Sequence, residues 1–304
     1  MRSGRQYVLQ GGDYRADVAS VGASLRRLQW RGRDLVVPYE ADEVRPYYRG
    51  AVLAPWPNRV ADGKWTWHGD PQQLPLTEPE RGHALHGLAL WLDWQPREVT
   101  PDSVVLTTTI WPQPGYPFLI ELAATWRLGA DGLECRLIAV NGGAGAAPYG
   151  CGFHPYLTAP TGVLDEWSAH VPAERYLRID ERLITAGLET PRPEHDFRTP
   201  RQIGPARIDH TYTDVQFGRS GRAAVTVTDA SGRGSRIEFG PGTTWVQLWT
   251  ADYPGEAGDR AGLAVEPMSC PPNALQTGAD LVVIEPGQRH EAWWRLCAIE
   301  GLPL

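Results

Sequence analysis

The chain is most informative first in what it lacks. Across 304 residues no apolar stretch approaches the ~20 residues needed to span a bilayer, so a helical membrane protein is not expected. No run of Lys or Arg occurs, and the net charge is -7, which leaves no electrostatic footprint for nucleic acid. The opening MRSGRQYVLQGGDYRADV has no apolar core of a secretory signal, and a cytoplasmic protein is the expectation. Only four cysteines are present, Cys135, Cys151, Cys270 and Cys297, and none forms a CxxC pair. Neither a metal site nor a redox motif has support from that spacing, and the four read as small buried apolar residues. Long helices also have little room, because Gly (33) and Pro (27) punctuate the chain throughout.

What is present has strand period. Val104 to Trp111, Phe118 to Leu128 and Leu133 to Val140 are β-branched and aromatic segments separated by turn residues, and they predict a three-strand meander. Ala223 to Thr228 and Arg236 to Phe239 flank the turn 229–234 as a second hairpin. Lys64 to Gly69, with Trp65 and Trp67 on one face, Thr244 to Thr250 and Glu291 to Ala298 are further strands. The best helix candidate is a short one over Pro172 to Leu177. With 42% hydrophobic and 21% charged residues, and no linker or low-complexity segment, the reading is one folded domain over 1–304. Its architecture is expected to be all-β, a large antiparallel sandwich or barrel. Thirteen Trp is a high count; most are assigned to the core and a few to a ligand's apolar face.

Polar residues that a core does not need gather in loops. Asn58 and Arg59 follow two prolines in APWPNRVADG, and in isolation they read as a turn with an exposed cation. RGHALHG carries His83 and His86, for which sugar contact and a structural role are equally open. In PYGCGFHPYL, His154 precedes Pro155 and is therefore biased toward extended backbone. In GLAVEPMSCPPN, Glu266 precedes Pro267 and is expected to end an apolar strand facing a cleft, since a buried charge is costly. A His and a Glu so placed suit acid–base work near neutral pH, with His protonated and Glu ionised.

Taken together PWPNRVADGKW, HALHG, PYGCGFHPYL, RIDHTY, WVQLWT, AVEPMSCPPNAL and IEPGQRHEAWWRL resemble the aldose 1-epimerase (galactose mutarotase-like) family, in the family's order and over residues 51–296. The resemblance implies a single antiparallel β-supersandwich that interconverts the α and β anomers of an aldohexose, with no cofactor and no metal. It implies His154 as the acid that protonates the ring oxygen and Glu266 as the base that takes the anomeric hydroxyl proton, the two standing on opposite sides of the anomeric centre. Asn58, Arg59, His86, Asp209 and Gln247 would bind the sugar, with His83 and Trp91 as further lining candidates. Leu88 departs from the family's galactose enzymes, which often carry a second Gly there, and HGLALWLDW is apolar beside the expected sugar. The expected partner is a small-molecule sugar, and the expected state a monomer or homodimer. Two other functions stay open: a sugar-binding or regulatory module without turnover, and an epimerase of a hexose 6-phosphate. A glycoside hydrolase would need two catalytic carboxylates, Asp209 and Glu266, and would leave the His-Pro-Tyr element without a role.

Overall fold

The computed structural model describes residues 1–301, and within them every strand ladder is antiparallel. Two large sheets dominate. One has nine strands, in the order Gln95–Val99, Ser103–Ile110, Ile120–Gly129, Gly132–Asn141, Arg289–Glu300, Arg233–Phe239, Ala223–Thr228, Ser168–His170 and Arg201–Gln202. The other has eight: Thr185–Glu189, Ala173–Ile179, Asp209–Val215, Trp245–Trp249, Leu263–Met268, Gly152–Phe153 and Val52–Leu53, with Tyr156–Leu157 also pairing to Leu263–Met268. A four-stranded sheet of residues 6–34 that the sequence reading did not identify completes the N-terminal part.

The strands expected from period-2 patterning form in register. Ser103–Ile110, Ile120–Gly129 and Gly132–Asn141 are the meander, and Ala223 pairs with Phe239 at the start of the hairpin. In Ile120–Gly129 the buried positions alternate: Ile120, Leu122, Ala124, Trp126 and Leu128 face inward. That alternation buries one face of a sheet and wets the other. Trp65 and Trp67 do share a face, with ring centroids 6.4 Å apart.

The helix expected over Pro172 to Leu177 is not there. Ala173–Ile179 is a strand, held by pairing with Asp209–Val215 on one side and Thr185–Glu189 on the other. Six residues carry too little helix propensity to resist two ladders of sheet pairing. The one α-helix among the described residues is a single turn, Ala274–Thr277.

Phe153 shows how the two large sheets join. Its ring stacks on Trp294 at 5.0 Å and meets Trp126 edge-on at 5.3 Å, both from the nine-stranded sheet. An uninterrupted apolar core runs from Leu9 to Leu296, and all four cysteines are buried as free thiols. Burial pushes the Cys151 thiol up to about 11, so it behaves as the apolar residue its spacing suggested.

Candidate functional site

The site lies on the eight-stranded sheet, where the ladder is broken. Leu263–Met268 pairs with Tyr156–Leu157 at its start and with Gly152 at its end. Between them His154-Pro155 interrupts the neighbouring strand, opposite Glu266. Alternation does the rest: Phe153 points into the core, and the next residue, His154, lines a cavity of ≈ 360 Å³. The His154 backbone is pinned on both sides, its N–H donating to Ala51 O at 3.1 Å and its carbonyl accepting from Gly50 N at 2.8 Å.

Glu266 is not at a strand end, as pre-proline placement suggested, but inside Leu263–Met268, which continues through Pro267. It is also both things the sequence posed as alternatives, buried to 2% exposure and facing the cavity. A row crosses three strands here, Glu266 opposite Gln247 and Gln247 opposite Thr211. Thr211 Oγ1 donates to Gln247 Oε1, and Gln247 Nε2 donates to Asp209 Oδ1 at 2.5 Å. The Gln247 amide is thereby fixed in orientation, and Asp209 is held against it.

His154 Nε2 lies 3.3 Å from Glu266 Oε1. They are in direct contact, where the sequence reading expected them on opposite sides of the anomeric centre. Burial pushes the His154 imidazole down to about 3, with Arg45 adding to the fall, so the buried ring is not held protonated on its own account. Burial and the Asp209 charge push Glu266 well above the usual carboxylate range, Arg59 opposing. Burial thus disfavours the charged form of both groups, the imidazolium and the carboxylate alike. Glu266 Oε2 and His154 Nδ1 are buried with no hydrogen-bond partner.

Arg59 is not an exposed cation. Its Nε and Nη2 donate to Glu78 Oε2 and Oε1 at 2.8 and 3.0 Å, and Nη1 lies 3.8 Å from Asp209 Oδ2. A bidentate, largely buried pair of this kind fixes the guanidinium plane. Asn58 and His86 are a second locked pair, both with left-handed φ, 55° and 63°. Asn58 N–H donates to His86 Nδ1 at 3.2 Å, and His86 N–H donates to Asn58 O at 2.9 Å. Gly87 is required next to them, because a Cβ there would meet Ala54 O at 2.2 Å. Asn273 of the PPNA motif clamps this layer from below, its Oδ1 accepting from Ala61 N at 3.0 Å and its N–H donating to Arg59 O at 2.6 Å.

The fold also brings His86, His154 and Glu266 together, with one potential ligand atom of each within 4.8 Å of the others. Spacing along the chain gave no hint of this cluster. Its donor set does not suit a metal. The Asn58 N–H occupies the lone pair of His86 Nδ1, which places the ring proton on Nε2. A metal-bound imidazole instead donates its second N–H to an acceptor. His86 is a neutral donor, its acidity raised by burial and by the neighbouring His154 and Arg59.

All seven site residues named from the sequence, Asn58, Arg59, His86, His154, Asp209, Gln247 and Glu266, line this one cavity. The two weaker candidates do not. His83 is buried, with Nε2 2.9 Å from Arg182 O, and Trp91 lies exposed with the Arg45 guanidinium over its ring. The apolar HGLALWLDW is accounted for, since Ala89 and Leu90 turn into the interior and only His86 of that stretch reaches the cavity. Of the thirteen Trp, Trp249 alone lines it. Glu78, Tyr48, Asp252 and Tyr253 are wall residues the sequence reading missed. Trp249 lay in WVQLWT and had a signal; Glu78 and Tyr48 sit in segments with none. Among the described residues no helix is long and apolar enough to cross a membrane.

The chain is 37% identical to the uncharacterized protein YihR of Escherichia coli (strain K12) over 296 residues, covering 97% of this chain and 93% of that one. It is 26% identical to the galactose mutarotase of Rattus norvegicus over 329 residues, covering 95% and 93%. Its fold matches the GalM/aldose epimerase homologue from C. elegans, with a TM-score of 0.87 at 16% identity and coverage of 98% and 99%. The galactose 1-epimerase from Lactobacillus acidophilus NCFM matches with a TM-score of 0.81 at 17% identity, over 97% and 94%. The family model described as aldose 1-epimerase matches residues 5–297, so this chain belongs to the aldose 1-epimerase family, isomerases that act on carbohydrates.

Proposed function

We propose that the chain interconverts the α and β anomers of an aldohexose, with Glu266 and His154 as the acid–base pair and no cofactor. The observation that supports it most is the His154 Nε2–Glu266 Oε1 contact at 3.3 Å, with the second carboxylate oxygen, Oε2, unpartnered at the cavity wall. Ring opening of a cyclic hemiacetal removes a proton from O1 while another arrives at O5. Those two oxygens are bonded to one carbon and stand side by side, so adjacent acid and base atoms suit them better than opposed ones.

In the proposed working state the pair holds one proton, on His154 Nε2, and Glu266 is ionised. Glu266 takes the O1 proton, the O1 electrons form the C1=O bond, and the C1–O5 bond breaks with its pair going to O5. His154 delivers its proton to O5. Rotation about C1–C2 presents the other carbonyl face, and closure reverses both transfers to give the opposite anomer. The pair ends each turnover with the one proton it began with, able to move along the direct contact. No electron leaves and no group is transferred.

Arg59, Asp209, Gln247, Asn58 and His86 are proposed to hold the sugar. Their own mutual bonds fix them before it arrives, which lowers the ordering cost of binding. A single-domain protein over 1–304 is proposed with this reading, on the strength of the uninterrupted core. The test is polarimetry on freshly dissolved α-D-glucose and α-D-galactose, with glucose 6-phosphate and a chromogenic glycoside in parallel. Accelerated mutarotation of a free hexose is expected. Activity only on the phosphorylated sugar would move the substrate, release of the chromophore would make the protein a hydrolase, and binding without turnover would make it a sugar-binding module.

A further inference from the structure

Tyr48 stands at the cavity wall in a backbone that costs energy to hold. It and Tyr47 are consecutive left-handed non-glycine residues, with φ of 61° and 46°. Such strain persists only where the surroundings fix it, and it clusters at functional sites. Here the surroundings are specific. Arg49 N–H donates to Pro46 O, Ala51 N–H donates to Tyr48 O, and Gly50 N–H donates to the carbonyl of His154. Arg45, buried, reaches out of the same turn to Val21 O at 3.0 Å and Leu90 O at 2.5 Å. The turn that carries Tyr48 is thus bonded to the backbone of the acid itself.

The ring touches both imidazoles of the site. It meets His86 edge-on with centroids 4.8 Å apart and tilts over His154 at 6.1 Å. The hydroxyl has a different fate from those of its neighbours. Tyr47 Oη donates to Glu256 and Tyr156 Oη donates to Tyr47 O, whereas Tyr48 Oη has no hydrogen-bond partner among the described residues. Tyr48 lines the cavity with Glu78, Glu80 and Arg59, and burial, with the charges of Glu78 and Glu80, raises its hydroxyl above the ordinary tyrosine range, so it stays a protonated donor. Packing against Ala51, Leu53 and Leu90 explains the ring but not a free hydroxyl at the wall of a polar cavity.

We propose that Tyr48 is a sugar-binding residue, donating its hydroxyl to a ring hydroxyl of the aldose while its ring sets the orientation of His86 and His154. The proposal rests on the epimerase reading above. The test compares wild type with Tyr48→Phe by polarimetry, on the parent aldohexose and on its 2-, 3-, 4- and 6-deoxy derivatives. Losing one neutral hydrogen bond is expected to raise KM for the parent sugar about threefold to tenfold, with kcat within about twofold. For one deoxy sugar, the one lacking the contacted hydroxyl, KM should be the same in both proteins. A second variant, Tyr48→Gly, suits the left-handed backbone and removes the ring; it should lower kcat as well. An unchanged KM in Tyr48→Phe, or an equal rise on every deoxy sugar, would overturn the inference while leaving the epimerase intact. Absence of mutarotation in wild type would overturn both.

Discussion

The two large sheets are made of similar strand-forming residues and do different work. The nine-stranded sheet has long, regular members, ten residues each in Ile120–Gly129 and Gly132–Asn141 and twelve in Arg289–Glu300. Its inward face is mainly apolar, and in Ile120–Gly129 the buried positions follow the pleat. The eight-stranded sheet is regular only in part. On its His154 side it breaks into pairs of residues, Val52–Leu53, Gly152–Phe153 and Tyr156–Leu157. Its three-strand row of Thr211, Gln247 and Glu266 is buried and polar. Regular alternation can bury only one kind of face, so a sheet that carries chemistry on its inner wall must interrupt the pattern. Polar groups that a core would exclude are kept there by hydrogen bonding to one another.

That division is testable, beginning with the largest effect. Glu266→Gln should lower kcat by about 10² to 10⁴, the usual contribution of a positioned acid or base. Its melting temperature should hold or rise, because a nearly isosteric neutral group replaces a buried carboxyl. Near-wild-type turnover would remove Glu266 from the mechanism. The converse substitution lies in the other sheet. Leu106, fully buried in Ser103–Ile110, changed to Ala should cost about 2–5 kcal/mol of stability by denaturant titration. Measured where the protein is folded, its kcat should stay within about twofold, and a large fall would show that the sheets are not separable in function.

The pH profile sharpens the comparison at the site itself. Adding a second proton to the His154–Glu266 pair makes a buried cation, which burial resists, as the fall of His154 to about 3 shows. Removing its one proton makes a buried anion, which burial and Asp209 resist, as the rise of Glu266 shows. The acidic limb of kcat/KM therefore moves down and the basic limb up. The plateau should be wider than the interval between the ordinary values of about 4.3 and 6.5. A bell confined to that interval would mean the pair is wet in solution. His154→Asn should abolish the basic limb together with most of the rate.

A smaller effect follows for Asp209→Asn. Asn keeps an acceptor for Gln247 Nε2 but loses the charge that faces Arg59 and Glu266. KM should rise about tenfold, as for one charge-assisted hydrogen bond. Loss of a negative neighbour disfavours protonation of the pair, so both limbs should shift to lower pH. A shift to higher pH would contradict the electrostatic role given to Asp209. The smallest expected effect is none: dialysis against EDTA should leave the rate unchanged, because His86 Nδ1 accepts from Asn58 N–H and cannot present a metal-type imidazole. Loss of activity that a divalent ion restores would sink that argument.

Much of this was legible in order along the chain. The meander and the Ala223 hairpin follow from period-2 alternation and turn residues, which are local properties. The short segment 172–177 was not legible, because its state was decided by the two strands it lies between. Motif resemblance brought out Asn58, Arg59, His86, His154, Asp209, Gln247 and Glu266, whose chain positions span more than two hundred residues, and these converge on one cavity. Glu78 and Tyr48 were missed because their role depends wholly on what they touch: Arg59 for the one, two imidazoles for the other.

The sequence by itself determined that this protein is a β-sheet structure, and it determined which side chains are available for proton transfer. Both are written in local pattern and residue type. Only the tertiary structure decided their state. It turned an apparently exposed Arg59 into a bidentate partner of Glu78, and it placed Glu266 inside a strand. It also set Nε2 and Oε1 3.3 Å apart, so that the imidazole and the carboxylate are in direct contact. Burial and distance set a proton's position, and neither exists until the chain has folded.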